Sequence, residues 1–331
     1  MSVLLATSSF LDATAASRFA VVHTTSGNIG PYCAEGFELT YKNANNTTPF
    51  DAKFALDTGI AEGWCSFYMT YNDTGTNNWD HDLWAIWSAT GNKLLSLRKE
   101  INSATFKIYW SNSTGTIQNT TVSGPSSGRY RWDIYWKIAA DGTGQWTVYQ
   151  DGVSYFSQSG QNNGRGTTML DLRFVREGGT SGLLRVYSGI IIADEDTRNL
   201  NCVYQLPNGN GSLTAWTNSY TAIDEAGLDT TDFIYATADG QQETFTFPAI
   251  PAGVSADDPV FCRLRVSGIA ASMGIEALCK SGGTLYNLGS VFAAGTSGIG
   301  KKVDITNDPN TAALWTVSNL DAAEFGFEAA A

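Results

Sequence analysis

Alternation of apolar and polar positions dominates the first part of the chain. In Tyr130-Arg131-Trp132-Asp133-Ile134-Tyr135-Trp136-Lys137-Ile138 every even position is apolar or aromatic, while the odd ones are Arg, Asp, Tyr and Lys. A period of two puts each set on its own face of a strand, so the segment predicts a strand with one face in a core. Residues 146–150 continue the pattern after a turn at 139–144. Asp151-Gly152 follows, a dipeptide suited to the left-handed backbone of a tight hairpin. The same alternation recurs at 67–71, 106–110 and 170–174, with Asn-Asp-Thr-Gly, Thr-Gly-Asn and Gly-Pro-Ser-Ser-Gly as punctuation. Strands at this spacing, with no long helical pattern between them, predict a β-sandwich or jelly roll.

The pattern changes after about residue 196. Eight of the ten tryptophans lie from Trp64 to Trp146, and the last third holds only Trp216 and Trp315. Residues 206–211, Leu-Pro-Asn-Gly-Asn-Gly, read as a linker or opening turn. Beyond it, strands are predicted at 232–236, 243–247, 260–267 and 274–279. After Asp308-Pro309-Asn310 come a short helical turn and a closing strand. The expectation is an all-β chain of two domains: a jelly roll over 1–200 and a smaller β-sandwich over 201–331.

Composition narrows the classes. The chain has 331 residues, 32 acidic against 20 basic, for a net charge of -12. A basic field for phosphate neutralisation is missing, which argues against nucleic acid as a partner. With 43% hydrophobic and 12% aromatic residues the chain is too apolar for disorder, and helical-bundle periodicity is absent. No stretch approaches a membrane span, so membrane insertion is not expected. The first residues lack a basic region and a long apolar run, so no signal peptide is expected. Five cysteines with no CxxC pair suit neither a zinc site nor a disulfide framework. Cys262 and Cys279 sit at inward-looking positions of neighbouring predicted strands and could touch. Buried free thiols are the simpler reading.

Arg131-Trp132-Asp133-Ile134-Tyr135-Trp136-Lys137, residues 146–152 and Val186-Tyr187-Ser188-Gly189-Ile190-Ile191-Ile192-Ala193 together resemble the concanavalin A-like lectin/glucanase (laminin-G-like) jelly rolls, over residues 10–196. Ile192-Ala193-Asp194-Glu195-Asp196-Thr197-Arg198 looks like the closing segment of jelly-roll domains in tailed-bacteriophage virion proteins. Asn208-Gly209-Asn210-Gly211, Trp216-Thr217, Ile223-Asp224-Glu225, Asp308-Pro309-Asn310, Trp315-Thr316 and Glu324-Phe325-Gly326-Phe327 look like the partner domain of the same proteins. The resemblance implies a virion structural or adhesion protein.

Glucanases on this jelly roll draw their two carboxylates from a Glu-x-Asp-x-x-Glu strand, and no Glu-x-Asp occurs in the chain. In Asp194-Glu195-Asp196 adjacent carboxylates would point to opposite faces of a strand, so this cluster reads as a turn. Ser-His-Asp chemistry would need His23 or His81, the only histidines, beside an activated serine. Gly295-Thr296-Ser297-Gly298-Ile299-Gly300-Lys301-Lys302 lacks P-loop spacing and reads as a hairpin connection. The expectation is no enzyme.

Binding candidates remain. Trp84, Trp132, Trp136 and Trp146 lie in phase with Ile and Val, which assigns them to the core. Trp79 lies in a polar stretch, Asn77-Asn78-Trp79-Asp80-His81-Asp82, without apolar phase. If the chain binds sugar, Trp79, Asp80, His81 and Asp82 are the first candidates, with Tyr109 and Tyr135 on polar strand faces behind them. Asn72, Asp73, Asp80 and Asp82 offer the oxygens that calcium prefers, without EF-hand spacing. No cofactor is assigned beyond that calcium set. The expected function is a non-catalytic tail-fibre or baseplate-type adhesin binding host surface polysaccharide. Its partners would be other virion subunits and copies of itself, with a trimer expected, assembled in the bacterial cytoplasm onto the virion. The alternative is a head-decoration or tail-surface protein whose role is subunit contact. A lesser alternative is a glycoside-active enzyme.

Overall fold

A computed structural model describes residues 3–7, 21–24, 33, 36–39, 50–73, 81–100, 105–111, 116–125, 127–161, 166–176, 183–203, 205–224, 232–252, 262–268, 273–289, 291–293 and 299–330. The chain divides into two compact units, Met1–Tyr204 and Gln205–Ala331. Strands are numbered in chain order.

The first unit is an antiparallel β-sandwich of jelly-roll type. One sheet runs in the order β12 (Val153–Gln161), β11 (Gly144–Gln150), β10 (Gly128–Lys137), β5 (Glu62–Asp73), β14 (Leu183–Ala193), β3 (Gly36–Leu39) and β2 (Val21–Thr24). β1 (Val3–Thr7) also pairs with β14. The other runs in the order β4 (Phe50–Ile60), β13 (Met169–Arg176), β6 (His81–Ser88), β7 (Lys93–Lys99), β8 (Phe106–Ser111) and β9 (Ile117–Val122). Neighbours distant in sequence, such as β5 with β14 and β4 with β13, make the sandwich non-local.

Alternation decides what faces inward. Trp132, Ile134 and Trp136 of β10, Trp146 and Val148 of β11, and Phe67 and Met69 of β5 form one wall of the core. Trp84, Ile86, Leu95, Leu97, Ile108, Leu172 and Phe174 form the other. The four tryptophans assigned to the core are fully buried, as expected. Rings meet edge to face across the interior, Phe67 and Phe174 at 5.0 Å between centroids, the geometry that aromatic quadrupoles favour. Tyr187 satisfies its buried hydroxyl by donating to the Leu83 carbonyl at 2.8 Å. The hairpin at Asp151-Gly152 has φ of 50° and 77°, the left-handed pair the dipeptide predicts.

The second unit is built on a sheet in the order β15 (Gly209–Thr214), β16 (Gln242–Thr246), β22 (Glu324–Ala330), β18 (Gly274–Ser281) and β19 (Thr284–Asn287), with β20 (Phe292–Ala293) also on β18. A two-stranded ribbon, β17 (Cys262–Gly268) with β21 (Ile299–Ile305), supplies the second layer. Ile305 of β21 joins Cys279, Trp315, Ala323 and Phe325 in one apolar cluster. A short helix, α1 (Val317–Asp321), precedes the closing strand; Thr316 caps it by accepting from the Asn319 N–H at 3.2 Å. The Asp308-Pro309-Asn310 motif is a structural hub. The buried Asp308 carboxylate accepts from Ser281 Oγ at 2.7 Å, the Asn310 N–H at 3.0 Å, Thr311 Oγ1 at 3.3 Å and Asn319 Nδ2 at 2.9 Å. Burial alone would push its pKa up. The hydrogen bonds outweigh burial and hold it below the usual carboxylate range.

Three local expectations change. Residues 232–236 contribute only the isolated bridge Thr217–Tyr235, beside which the Asn218 side-chain amide donates to the Phe233 carbonyl, so the segment is tied to residues 217 and 218 rather than paired in a ladder. The Gly-rich stretch at 295–302 is not simply a connection, since β21 begins at Ile299. Cys262 and Cys279 lie on strands of different sheets, and the side chain of Cys262 lies outside the described residues.

Burial pushes the Cys65 thiol well above its ordinary pKa, with the Asp133 charge adding to it. Burial and Asp308 push Cys279 up to about 12. Only a thiolate is a good nucleophile. Native protein treated with iodoacetamide at mildly alkaline pH is therefore expected to stay unmodified at both positions, and to react once denatured. Peptide mass mapping reads the difference, and rapid native labelling of either would contradict this packing.

Candidate functional site

Among the described residues of the first unit, the outer face of the six-stranded sheet carries a dense polar constellation. Strand register arranges it in three rows. One runs Ala55–Asp171–Trp87–Lys93. A second runs Lys53–Arg173–Ala85–Ser96–Tyr109–Asn119. The third runs Asp82–Arg98–Lys107–Thr121. These positions alternate with the inward Trp84, Ile86, Leu95, Leu97, Ile108 and Leu172, so the rhythm that fills the core also builds this face.

Two buried carboxylates organise the rows. Asp82 accepts from Lys93 Nζ at 2.7 Å, Ser96 Oγ at 3.0 Å and Arg98 Nε at 3.1 Å. Asp171 accepts from Arg173 Nε at 2.5 Å and lies 3.3 Å from Lys53 Nζ. The aromatic rings are tied to the same cations. Arg173 lies over Trp87 at 4.1 Å, and Arg98 over Tyr109 at 5.4 Å from the ring centroids. Tyr109 donates its hydroxyl to Glu100 at 2.7 Å, and Lys107 reaches the same carboxylate at 3.2 Å. In the middle of the second row, the small Ala85 and Ser96 stand between these long side chains.

The eight-stranded sheet shows a different outer face. Trp64 of β5 meets Tyr135 at 5.1 Å and Tyr149 at 6.1 Å. Arg198, from the segment after β14, lies over Trp64 at 5.0 Å and over Tyr149 at 4.8 Å. Asp196 pairs with Arg198 and also accepts its N–H, so the acidic cluster at 194–196 forms a turn as expected. Arg198 holds the Asp196 carboxyl below its ordinary pKa. Behind them, buried Thr197 bonds Ser66, and its carbonyl accepts from Arg131 at 2.7 Å. The segment after β14 thus covers these rings with its own chain. Tyr135 donates to Glu62 at 2.6 Å, and burial followed by this bond pushes its pKa up to about 12.

Of the residues singled out from sequence, the structure brings Asp82 and Tyr109 onto one face. Tyr135 lies on the other sheet. Trp79, Asp80 and the side chains of His81 and Asp73 lie outside the described residues. His81 and Asp82 are not loop residues; they open β6, because register with β7 extends to Lys99. Asp82 does not serve calcium in this geometry, since an ammonium and a guanidinium occupy its oxygens. Asn72 accepts from Ser127 Oγ at 3.2 Å. Among the described residues no group of three His, Cys, Asp or Glu side chains could hold a metal. Sequence reasoning missed Lys53, Trp87, Lys93, Arg98 and Arg173. The alternation of Leu95-Ser96-Leu97-Arg98 was the signal available for two of the site's residues. Gly124-Pro125-Ser126-Ser127-Gly128 has the letters of a nucleophile elbow, but it joins two strands, not a strand to a helix.

No family model and no curated protein sequence matches the chain. Solved structures do. Endo-β-1,4-glucuronan lyase from the fungus Trichoderma reesei is similar at 10% identity and a TM-score of 0.43, covering 55% of this chain and 91% of that one. Alginate lyase Aly36B is similar at 9% identity and a TM-score of 0.31, covering 49% and 82%. A carbohydrate esterase from the Shiga toxin-encoding bacteriophage phi24B is similar at 12% identity and a TM-score of 0.39, covering 55% and 90%. At these identities the likeness concerns fold alone.

The expectation of no enzyme is corrected by these matches, because polysaccharide lyases are among them. The motifs whose absence supported it belong to hydrolases and nucleotide-binding proteins. Elimination from a uronate needs a base near an acidic carbon and a group that quiets the neighbouring carboxylate. Neither requirement leaves a carboxylate-pair signature in sequence.

Proposed function

We propose that the first unit binds carbohydrate on the outer face of the six-stranded sheet. The observation that carries this is the three-row arrangement around Asp82 and Asp171. It combines aromatic rings, hydrogen-bonding carboxylates and cations on a strip of six strands, about 24 Å across at ~4.8 Å per strand. Rings receive the apolar faces of sugars, and the charged groups receive hydroxyls and ring substituents.

In the same reading the chain is a virion surface subunit of the tail-fibre or baseplate kind, assembled in the bacterial cytoplasm as a homo-oligomer, and the ligand is host surface polysaccharide. The resemblance of residues 192–198 and of the terminal segments to tailed-phage virion proteins supports that setting. Affinity electrophoresis against a panel of polysaccharides tests the binding reading, with each retained polymer also assayed for cleavage. Retention is expected, and Trp87→Ala with Tyr109→Ala should abolish it while circular dichroism keeps the β signature. Retention of no polymer, or retention unchanged in the folded double variant, overturns the reading. Labelling of particles with antibody against the chain tests the setting; tails without label would count against it.

A further inference from the structure

We infer that two copies of this chain pair through β9, strand against strand and antiparallel about a two-fold axis, so that their six-stranded sheets join into one. The pairing rests on the flank of the sandwich and is independent of the carbohydrate reading.

Both sheets end on one flank, the six-stranded sheet at β9 and the eight-stranded sheet at β12. Trp110 of β8 meets Phe156 of β12 at 5.1 Å between ring centroids, and Tyr155 donates its hydroxyl to the Ser123 carbonyl just after β9. The flank carries no charge. Charged residues make up 16% of the chain, yet none falls in 108–128 or in 152–164, the stretches that hold β9 and β12. An edge strand offers backbone N–H and C=O groups to another chain, and proteins guard such edges with charges, prolines or bulges. β4, the opposite edge of the same sheet, is guarded by Asp51, Lys53 and Asp57. β12 is interrupted by two register shifts against β11. β9 has none of these devices. Ile117-Gln118-Asn119-Thr120-Thr121-Val122 pairs with β8 in unbroken register, and residues 118–121 are exposed. Among the described residues no strand pairs with its other side.

Charge selects the occupant. Two copies of a chain with net charge -12 repel each other as wholes, so an uncharged flank is where they can approach. β9 is also a strand that fits itself. Any two-fold antiparallel register sets Gln, Asn and Thr of one copy opposite the same residue types of the other, with hydrogen-bonding side chains and no like-charge pair. Val153, at the start of β12, is 71% exposed and adds apolar surface to the flank. The symmetry axis stands perpendicular to the joined sheet, so the outer faces of both copies point the same way. The two strips proposed above for carbohydrate then lie side by side on one surface, where a single polymer can engage both.

Sedimentation velocity of the full chain over a range of concentrations tests the pairing. A species of twice the 35.6 kDa chain mass is expected, and its share should rise with added salt as the repulsion between acidic copies is screened. Gln118→Lys with Thr120→Lys places charges on exposed positions of β9 and should weaken the pairing about tenfold or more, with the circular dichroism spectrum unchanged. Gln118→Ser with Thr120→Ser, which adds no charge, should keep it. Hydrogen exchange should show β9 amides gaining protection as concentration rises while those of β4 do not. A chain that stays monomeric at every concentration overturns the inference and leaves β9 to a strand of another protein. A trimer, a dimer that the lysine variant does not weaken, or a dimer without added protection in β9 overturns it as well. None of these outcomes touches the carbohydrate reading, which affinity electrophoresis decides.

Discussion

Replacing Gly326 by alanine is expected to break the central sheet of the second unit. Gly326 lies on β22, paired with Thr244 of β16 on one side and Leu278 of β18 on the other. A Cβ built at this position would stand 1.8 Å from the Glu243 carbonyl oxygen, 2.7 Å from the Thr244 Cα and 2.8 Å from the Glu243 carbonyl carbon. All three are backbone atoms, so no side chain can swing aside. The β16–β22 ladder must open, and β22 is the strand that carries Phe325 into the apolar cluster. On an unstrained strand the same substitution would stabilise by about 0.4–1 kcal/mol through the unfolded chain, so the sign of the effect is diagnostic. We expect a loss of about 3 kcal/mol or more, at or above the upper end of overpacking costs. Hydrogen exchange should show amide protection falling in β16, β18 and β22 while β5 and β10 keep theirs. Unchanged protection would mean that these strands do not approach as closely as described.

Asp82→Ala is expected to be the most damaging single change on the outer face of the six-stranded sheet. It takes the shared carboxylate from Lys93 and Arg98 and removes the acceptor of the Ser96 hydroxyl. Removing one partner of a fully buried ion pair costs about 3–5 kcal/mol. Both cations here keep about a fifth of their side-chain surface in water, and that solvation reduces the loss to about 2–3 kcal/mol. Asp82→Asn should cost less, because its carbonyl can still accept from Ser96 and Arg98, while its amide meets the Lys93 ammonium donor to donor. Denaturant melts of the two variants should therefore rank wild type above Asn above Ala. Equal stability of all three would remove Asp82 as the organiser of this face.

The fold was legible because it rests on a local rhythm. Residues 130–138 could be read as a half-buried strand from nine letters, and the fates of Trp132 and Trp136 followed from their phase with Ile134. Asp151-Gly152 was equally local, a turn written in two residues. The Asp308-Pro309-Asn310 motif stood out in sequence, but its role did not, since its hydrogen-bond donors Ser281 and Asn319 come from a distant strand and from α1. The candidate site was the least legible part. Asp82 was picked out within a polar stretch without apolar phase, yet it works as a strand residue under two cations. Tyr109 and Tyr135 looked equivalent, each on the polar side of a strand, and proved to face away from each other on opposite sheets. The search for enzymes was likewise confined to chemistries with short motifs, which is why the absence of such motifs misled it.

The sequence by itself determined that the chain is all-β, which tryptophans fill the core and where the tight turns fall, because side-chain alternation and backbone preference act over a few residues. Which polar faces would assemble was decided only by the tertiary structure. Lys53 meets Arg173 and Asp171 through the pairing of β4 with β13, strands more than a hundred residues apart, and no local preference encodes that register. It is set by the burial of both sheets' apolar faces at once. That burial turned a merely polar strand face into two buried carboxylates beneath four cations.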